Sequence, residues 1–567
     1  MRLKNVQKME KKSDLKAAIL SIKQHFLLTG LFSAAINMLM LTPVIYMLTV
    51  YDRVVSSGSL STLGMLTLLM LALLISAGGF EWVRSMILIN ATSRLETLLR
   101  SRVSDATFKG QLYGLNIGSQ PLADLIGLRQ FLTGNGTFAF FDAPWFPVYI
   151  AVMFMFHPWF GVAGIVAGVA MVCLAIANEA STNKLMLQSN ADSNRAIKQY
   201  ESRLRNAEAV AAMGMSEELK CAQDGLFDSV INKQALASQR ASVFSAVTKY
   251  FRIITQSLLL GLGAFLALNQ QISPGMMIAG SLLLGRALAP VDLLVGTWKQ
   301  FSVARAQYTR LEELLEKIPQ DSEKMVLPAP SGHLNVEGIS VVPPGSKSIV
   351  LRGISFQLQP GQVLGVVGAS ASGKSTLMRA LLGIWPTSAG KVRLDGADIS
   401  SWSREEIGPH IGYLPQDIEL FDGTIAENIC RFKQVDPDTI VAAAKLADVH
   451  EMILRLPQGY DTPISGTTGI LSGGQRQRIG LARAVFGSPS FIVLDEPNSN
   501  LDEAGEKSLV NALLQIKKSG STIILVTHRP YVLKVTDLIL LLKEGSVVGF
   551  GPKEEVFSGK FDQKQAS

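Results

Sequence analysis

The sequence predicts a membrane all-α domain fused to a soluble α/β domain. Three observations predict it. Only 17% of the 567 residues are charged, against roughly 25% in ordinary soluble chains, and the mean hydropathy is +0.27. That apolarity is concentrated in residues 26–298. From Leu334 onward, short β-type runs alternate with helical ones around the string GASASGKST at 368–376. That string is a complete G-x-x-x-x-G-K-[ST] P-loop pattern.

The first 25 residues carry Arg2, Lys4, Lys8, Lys11, Lys12, Lys16 and Lys23 against Glu10 and Asp14. A basic arm of this kind can serve nucleic acid. Here it directly precedes an apolar stretch, so the positive-inside rule accounts for it more simply, and no nucleic-acid partner is expected. The stretch Phe26–Val50 is too long for a signal-peptide core and lacks a small-residue cleavage site. It reads as a retained helix with its N-terminus in the cytoplasm.

A membrane-spanning helix needs about 20 apolar residues. Six stretches qualify: 26–50, 60–80, 137–156, 159–178, 246–269 and 275–298. Three connections are short (YDRVVSSGS, HPW and NQQISPG). Two are long and basic, one holding Arg84, Arg94, Arg100, Arg102, Lys109 and Arg129, the other Lys184, Arg195, Lys198, Arg203, Arg205 and Lys220. Short loops outside and basic loops inside predict a multi-pass inner-membrane topology with both termini cytoplasmic. Residues 81–110 and 179–213 are nearly free of proline and glycine, so the spans are expected to continue as helices some 40 Å past the membrane. Turns are expected near Gly110–Gly127 and at Gly214. Pro43, Pro144, Pro147 and Pro290 are candidate breaks or kinks.

Arg252, Arg286 and Asp292 lie in or beside the last two spans. A charge at mid-span is costly unless it faces water or a partner. Arg286 is therefore a candidate for the translocation path, with satisfaction by interhelix packing as the alternative. Cys173, Cys221 and Cys430 are far apart, and the histidines lack ligand spacing, so neither a disulfide framework nor a metal cluster is expected.

The charged run to residue 318 continues the sixth span, and PQDSEKMVLPAPSGH follows it. The expected divisions are a basic segment 1–25, a membrane domain 26–318, a linker 319–333 and an α/β nucleotide-binding domain 334–567. In the last of these, the strand QVLGVVG precedes the P-loop and the helical run STLMRALLG follows, as the motif requires. Gly368, Ala369, Ser370, Ala371, Ser372, Gly373, Lys374, Ser375 and Thr376 form the phosphate cradle. Lys374 is placed to reach the β and γ phosphates, and the Ser375 hydroxyl to ligate Mg²⁺.

Further strings agree. FIVLD ends in Asp495, an acid for the Mg²⁺ shell, and Glu496 follows as candidate general base. His528 ends TIILVTH and is placed for the γ-phosphate. Gln416, in YLPQD, can sense Mg²⁺ and attacking water. At 471–475 the chain reads LSGGQ, with Ser472, Gly473, Gly474 and Gln475 opening a helix whose N-terminus can present donors to phosphate. Asp502 lies in SNLD.

Taken in order, these strings resemble the ATP-binding cassette (ABC) exporters, in which six spans precede one nucleotide-binding domain. The resemblance covers almost the whole chain. It implies ATP and Mg²⁺ as ligands and a homodimer in which LSGGQ of one subunit closes on ATP held by the other's P-loop. It further implies Asp502 at the dimer contact and two hydrolytically competent sites. YMLTVYDRVVSSGSLSTL, FDAPWFPVYIAVMFMFHPW, AVAAMGM and GRALAPVDLLVGTWKQFSVARAQYTRL resemble the PrtD family of type I secretion permease/ATPases. That resemblance implies ATP-driven export of an unfolded polypeptide with a C-terminal signal. The implied partners are a periplasmic membrane fusion protein and an outer-membrane channel protein, with membrane lipid around the spans.

The chain departs from the pattern in three places. VVPPGSKS lacks the aromatic that often stacks on adenine. ISGTTGI puts Ser465 and Gly466 where a Gly-Glu pair is usual. No long domain precedes the first span, which argues against peptidase-bearing and haemolysin-type relatives. A lipid or drug exporter on the same scaffold is the alternative function. A non-transporting ABC ATPase is disfavoured by the six spans.

Overall fold

The computed structural model describes residues 14–115, 117–320, 327–464 and 471–557. The chain forms two compact units. One comprises Met1–Phe108 and Ile117–Gln320, the other Lys109–Asn116 and Asp321–Ser567. Lys109–Asn116, inside the stretch read as membrane domain, thus groups with the second unit. Residues 1–13 of the basic segment, 321–326 of the linker and the Ser465–Gly466 pair lie outside the described residues.

The first unit is helical. In order come α1 (Asp14–Ser21), α2 (Lys23–Leu39), α3 (Thr42–Thr49), α4 (Leu60–Leu112), α5 (Gln120–Thr133), α6 (Asn135–Asp142), α7 (Phe146–Phe156), α8 (Pro158–Arg205), α9 (Ser216–Leu268) and α10 (Pro274–Lys317). Six stretches are long and apolar enough to cross a membrane: Lys23–Ser57, Leu60–Leu112, Asn135–Phe156, Pro158–Arg205, Ser216–Leu268 and Pro274–Lys317. At 1.5 Å per residue, α4 with its 53 residues is about 80 Å long, well over twice a hydrocarbon core of about 30 Å. The long basic connections are therefore helix continuations, as their composition predicts. In the most apolar part of α4 only 6% of residues are buried, as suits a helix whose solvent is lipid.

Two spans differ from the single helices expected. The first breaks at Met40–Leu41, just before Pro43, and closes with a π-helical turn at Val50–Val54. The third passes through a 3₁₀ turn at Ala143–Trp145, with Pro144 and Pro147 at successive helix starts. Proline lacks the N–H that an uninterrupted helix would use, and it fits the first turn. Pro290, by contrast, sits inside an unbroken α10.

Polar side chains tie these helices together. Arg84 of α4, 3% exposed, donates to Ser33 Oγ of α2 at 2.8 Å and pairs with Asp142 of α6 at 3.1 Å. Asn37 Nδ2 donates to the same carboxylate at 2.9 Å, and the Tyr149 hydroxyl donates to Asn37 Oδ1 at 2.9 Å. Asp52, in the π-helical turn, caps α10: it accepts from Ser273 Oγ at 2.5 Å and from Gly275 N–H at 2.8 Å. Gly275 leaves room for this, since a Cβ there would stand 2.5 Å from the Asp52 carboxylate. Arg252 and Asp292 form an ion pair at 3.6 Å. Arg286 is exposed on α10.

The second unit holds two main sheets. β1 (Leu334–Val341) lies between β2 (Leu351–Leu358) and β4 (Ala389–Leu394), and β4 also pairs with β5 (Ala397–Asp398); all these pairs are antiparallel. The other sheet runs β12–β11–β3–β10–β9–β6. Its strands are β3 (Val363–Val367), β6 (Ile411–Leu414), β9 (Phe491–Asp495), β10 (Thr522–Val526), β11 (Leu538–Lys543) and β12 (Ser546–Pro552). Five run parallel and β12 is antiparallel. A minor pair joins β7 (Gly423–Thr424) to β8 (Pro463–Ile464). β9 and β10 are buried at every position, which explains their unbroken apolar sequences. The helices that matter for the site are α11 (Lys374–Leu381), α12 (Gly473–Val485) and α13 (Glu503–Lys518).

Candidate functional site

Four parallel strands end at one rim of the large sheet. β3 leads into the P-loop, β9 ends in Asp495, β10 leads to His528, and β6 to Gln416. The carboxyl ends of parallel strands are where open α/β sheets bind ligands.

The P-loop turns through backbone that only its residues permit. Gly373 has φ +102, in the left-handed region that glycine enters without cost. A Cβ on Gly368 would stand 2.3 Å from the carbonyl oxygen of Leu542. Lys374, buried, donates Nζ to the carbonyls of Gly368 and Ala369 at 2.7 and 2.9 Å. An ammonium has three donors, so a third hydrogen is left for an anion. The first N–H groups of α11 have no partner within the helix. Ser372 Oγ is buried without a hydrogen-bond partner. This cradle fits a polyphosphate.

The Ser375 hydroxyl lies beside the Asp495 carboxyl. Burial pushes the Asp495 carboxyl above the usual carboxylate range and the neighbouring Glu496 adds to the rise, while Ser375, Arg379 and Lys374 oppose it. A buried carboxylate beside a hydroxyl is a hard oxygen donor set, which fits Mg²⁺. That ion takes one or two carboxylates and fills its remaining positions with water and phosphate oxygens. Among the described residues, no group of three or more His, Cys, Asp or Glu forms a metal cluster.

Glu496 stands next to this pair with φ +51, a left-handed conformation costly for a non-glycine residue. Its N–H donates to the Val526 carbonyl at 3.0 Å. Gln416 Nε2 donates to Glu496 Oε2 at 3.4 Å, and His528 Nε2 lies 3.8 Å from Oε1. Two residues read separately from the sequence, Gln416 and His528, thus converge on the carboxylate of a third, Glu496.

Ser472 begins α12 with a reciprocal cap. Its hydroxyl accepts from Gln475 N–H at 3.3 Å, and Gln475 Oε1 accepts from Ser472 N–H at 2.8 Å. Gly474 allows the following loop to close in, since a Cβ there would meet the Asn500 carbonyl at 2.8 Å. Among the described residues, no hydrogen bond or ion pair joins Ser472, Gly473, Gly474 or Gln475 to the P-loop. Asp502 caps α13 by accepting from Gly505 N–H at 2.8 Å, and lies 3.7 Å from Arg478.

Two residues escaped the sequence reading. Gln477, 2% exposed, donates to the Glu496 carbonyl at 3.2 Å and accepts from Asn500 N–H at 3.0 Å. Asn498 accepts from the Thr527 hydroxyl at 2.9 Å, one residue before His528. The signal was present: Gln477 is the second glutamine of GGQRQR, and Asn498 stands in DEPNSNLD.

Comparison with known proteins agrees with this geometry. Residues 351–499 match the ABC transporter family, and residues 122–290 match the ABC transporter transmembrane region. The chain is 43% identical over 548 residues to the type I secretion system ATP-binding protein PrsD of Rhizobium meliloti (strain 1021), covering 96% of this chain and 94% of that one. It is 26% identical to the toxin RTX-I translocation ATP-binding protein of Actinobacillus pleuropneumoniae, over 95% of this chain and 77% of the relative. A solved bacterial Atm1-family ABC exporter with ATP bound superposes with a TM-score of 0.78 over 97% of this chain and 98% of that one, at 20% identity. At that identity the likeness shows the fold alone.

Proposed function

This chain belongs to the ABC transporters of type I secretion systems, and from that premise we propose that it uses ATP to export an unfolded polypeptide across the inner membrane. The observation that carries the reading is the 43% identity to a type I secretion ATP-binding protein along nearly the full length of both chains. The convergence of Gln416, Glu496 and His528 supplies the hydrolytic chemistry.

The working unit is a homodimer with its termini in the cytoplasm. Each P-loop, Gly368 to Thr376, wraps the phosphates of one ATP, with Lys374 neutralising the β and γ groups. Ser472, Gly473, Gly474 and Gln475 of the other copy close the site. Asp502 contributes to the dimer contact. Glu496 orients water and accepts its proton, Gln416 holds the Glu496 carboxylate in place, and His528 faces the γ-phosphate. Ser375, Asp495 and Gln416 would hold Mg²⁺, which when bound would offset charge on the β and γ oxygens. Arg286, exposed at mid-span, lines the path. A periplasmic membrane fusion protein and an outer-membrane channel protein complete the route.

Reconstitution tests this. Purified protein in lipid nanodiscs is assayed for ATPase activity with an unfolded polypeptide bearing a C-terminal secretion signal, with the same polypeptide lacking the signal, and with small amphiphiles. A response to the signal-bearing chain is expected. Stimulation by amphiphiles alone would identify a lipid or drug exporter instead.

A further inference from the structure

Glu496 is held in a backbone conformation that its own residue type disfavours. It follows β9 directly, and its φ of +51 turns the chain out of the strand. A non-glycine residue stays left-handed only where its surroundings fix it. Three contacts do so here. Its N–H donates to the Val526 carbonyl of β10 at 3.0 Å, and its carbonyl accepts the Ser499 N–H at 3.2 Å. The second bond closes a four-residue turn, with Pro497 at the position that proline favours. The third contact comes from outside the loop. Gln477, on α12, donates Nε2 to the same carbonyl at 3.2 Å.

Gln477 spans the whole turn. Its Nε2 also reaches Ser499 Oγ at 3.4 Å, and its Oε1 accepts the Asn500 N–H at 3.0 Å. A glutamine amide has two donor hydrogens and one acceptor oxygen, so each of these goes to residues 496–500. The buried residues that follow it on α12, Ile479, Gly480, Leu481 and Ala482, carry no side-chain polar group. Burial at position 477 would suit a methionine as well as an amide. Only the amide can fix both ends of the turn.

The first end of that turn carries the reacting group. The Glu496 carboxylate accepts from Gln416 Nε2 at 3.4 Å and lies 3.8 Å from His528 Nε2. A general base must stand within hydrogen-bond reach of the proton it takes. Relaxation of the Glu496 backbone out of the left-handed region would swing the carboxylate away from both neighbours. We propose that Gln477 is a positioning residue for ATP hydrolysis, which acts through the Glu496 backbone to keep that carboxylate aimed. The proposal rests on the reading of Glu496 as the group that accepts the proton of the attacking water.

Steady-state and single-turnover ATP hydrolysis by the full chain in nanodiscs test it. Gln477→Met keeps the length of the side chain and removes all three hydrogen bonds. Gln477→Glu keeps an acceptor for the Asn500 N–H and removes both donors. In each, kcat should fall about 10- to 100-fold, the scale on which a small misplacement of a reacting group acts. KM for ATP should hold nearly constant, and a melting curve confirms that each variant folds. A double-mutant cycle separates aiming from general structure. In the Glu496→Gln background, Gln477→Met should cost nothing further, because the base that it misplaces is already gone. Suppose instead that either variant keeps wild-type kcat, that KM alone rises, or that Gln477→Met slows the Glu496→Gln protein by the factor it slows wild type. The positioning role then falls and the reading of Glu496 stands. If Glu496→Gln itself hydrolyses ATP at the wild-type rate, both fall.

Discussion

The nucleotide unit and the membrane unit hold their polar groups in opposite ways. In the first, the reacting groups are close in sequence or on adjacent strands. Lys374 bonds carbonyls five and six residues away, and Glu496 is set by its register beside β10. In the second, contacts leap along the chain. Asp52 reaches residues more than 220 positions on, and Arg84 reaches back 51 positions to Ser33. The difference follows from solvent. A site that handles a charged ligand keeps some polar capacity open, whereas a polar side chain within apolar helices must find a partner wherever the fold supplies one.

This contrast predicts two fingerprints: rate without stability in one unit, stability without nucleotide chemistry in the other. The largest expected effect is from Glu496→Gln. Loss of a general base should cut turnover about 10²- to 10⁴-fold, with ATP still bound, as equilibrium binding and phosphate release would show. Wild-type hydrolysis in that variant would remove Glu496 from its role. Next comes Arg84→Ala. It leaves the Asp142 carboxylate with the Asn37 amide but without its cation, and losing one partner of a buried pair costs up to about 3–5 kcal/mol. Thermal melting in detergent should fall markedly while ATP affinity holds. An unchanged melting curve would break the contrast.

Lys374→Ala should follow, weakening ATP binding about 10- to 100-fold through the loss of charge-assisted hydrogen bonds, read by titration with labelled nucleotide. Unchanged affinity would show that the backbone cradle alone holds the phosphates. The smallest effect is from Asp52→Ala, which removes a cap worth about 1 kcal/mol. Asp52→Asn keeps an acceptor and should recover part of the loss. Equal melting of both variants and wild type would make that cap incidental.

Legibility follows the same divide. The P-loop, Asp495, Glu496 and His528 were readable because the chemistry needs fixed residue types beside a strand end. Six spans and their helical extensions were readable because lipid demands long apolar runs and continuing helices avoid proline. Asp52 and Asp142, and their partners Gly275 and Arg84, all stand in stretches named from the sequence, yet the pairings were not legible, since no local spacing links one to the other. Gln477 was missed because its bonds go to backbone atoms of another segment. The breaks in the first and third spans were only half visible. Proline marked where a helix restarts but not the π-helical turn that sets Asp52 toward α10.

Gln477 carries one more consequence. It sits on the helix opened by Ser472, and it bonds the backbone of Glu496. In the two-fold arrangement proposed above, the helix that seals one nucleotide is thus anchored to the carboxylate that consumes the other. The two sites then share one frame, with a single buried glutamine as the joint between them.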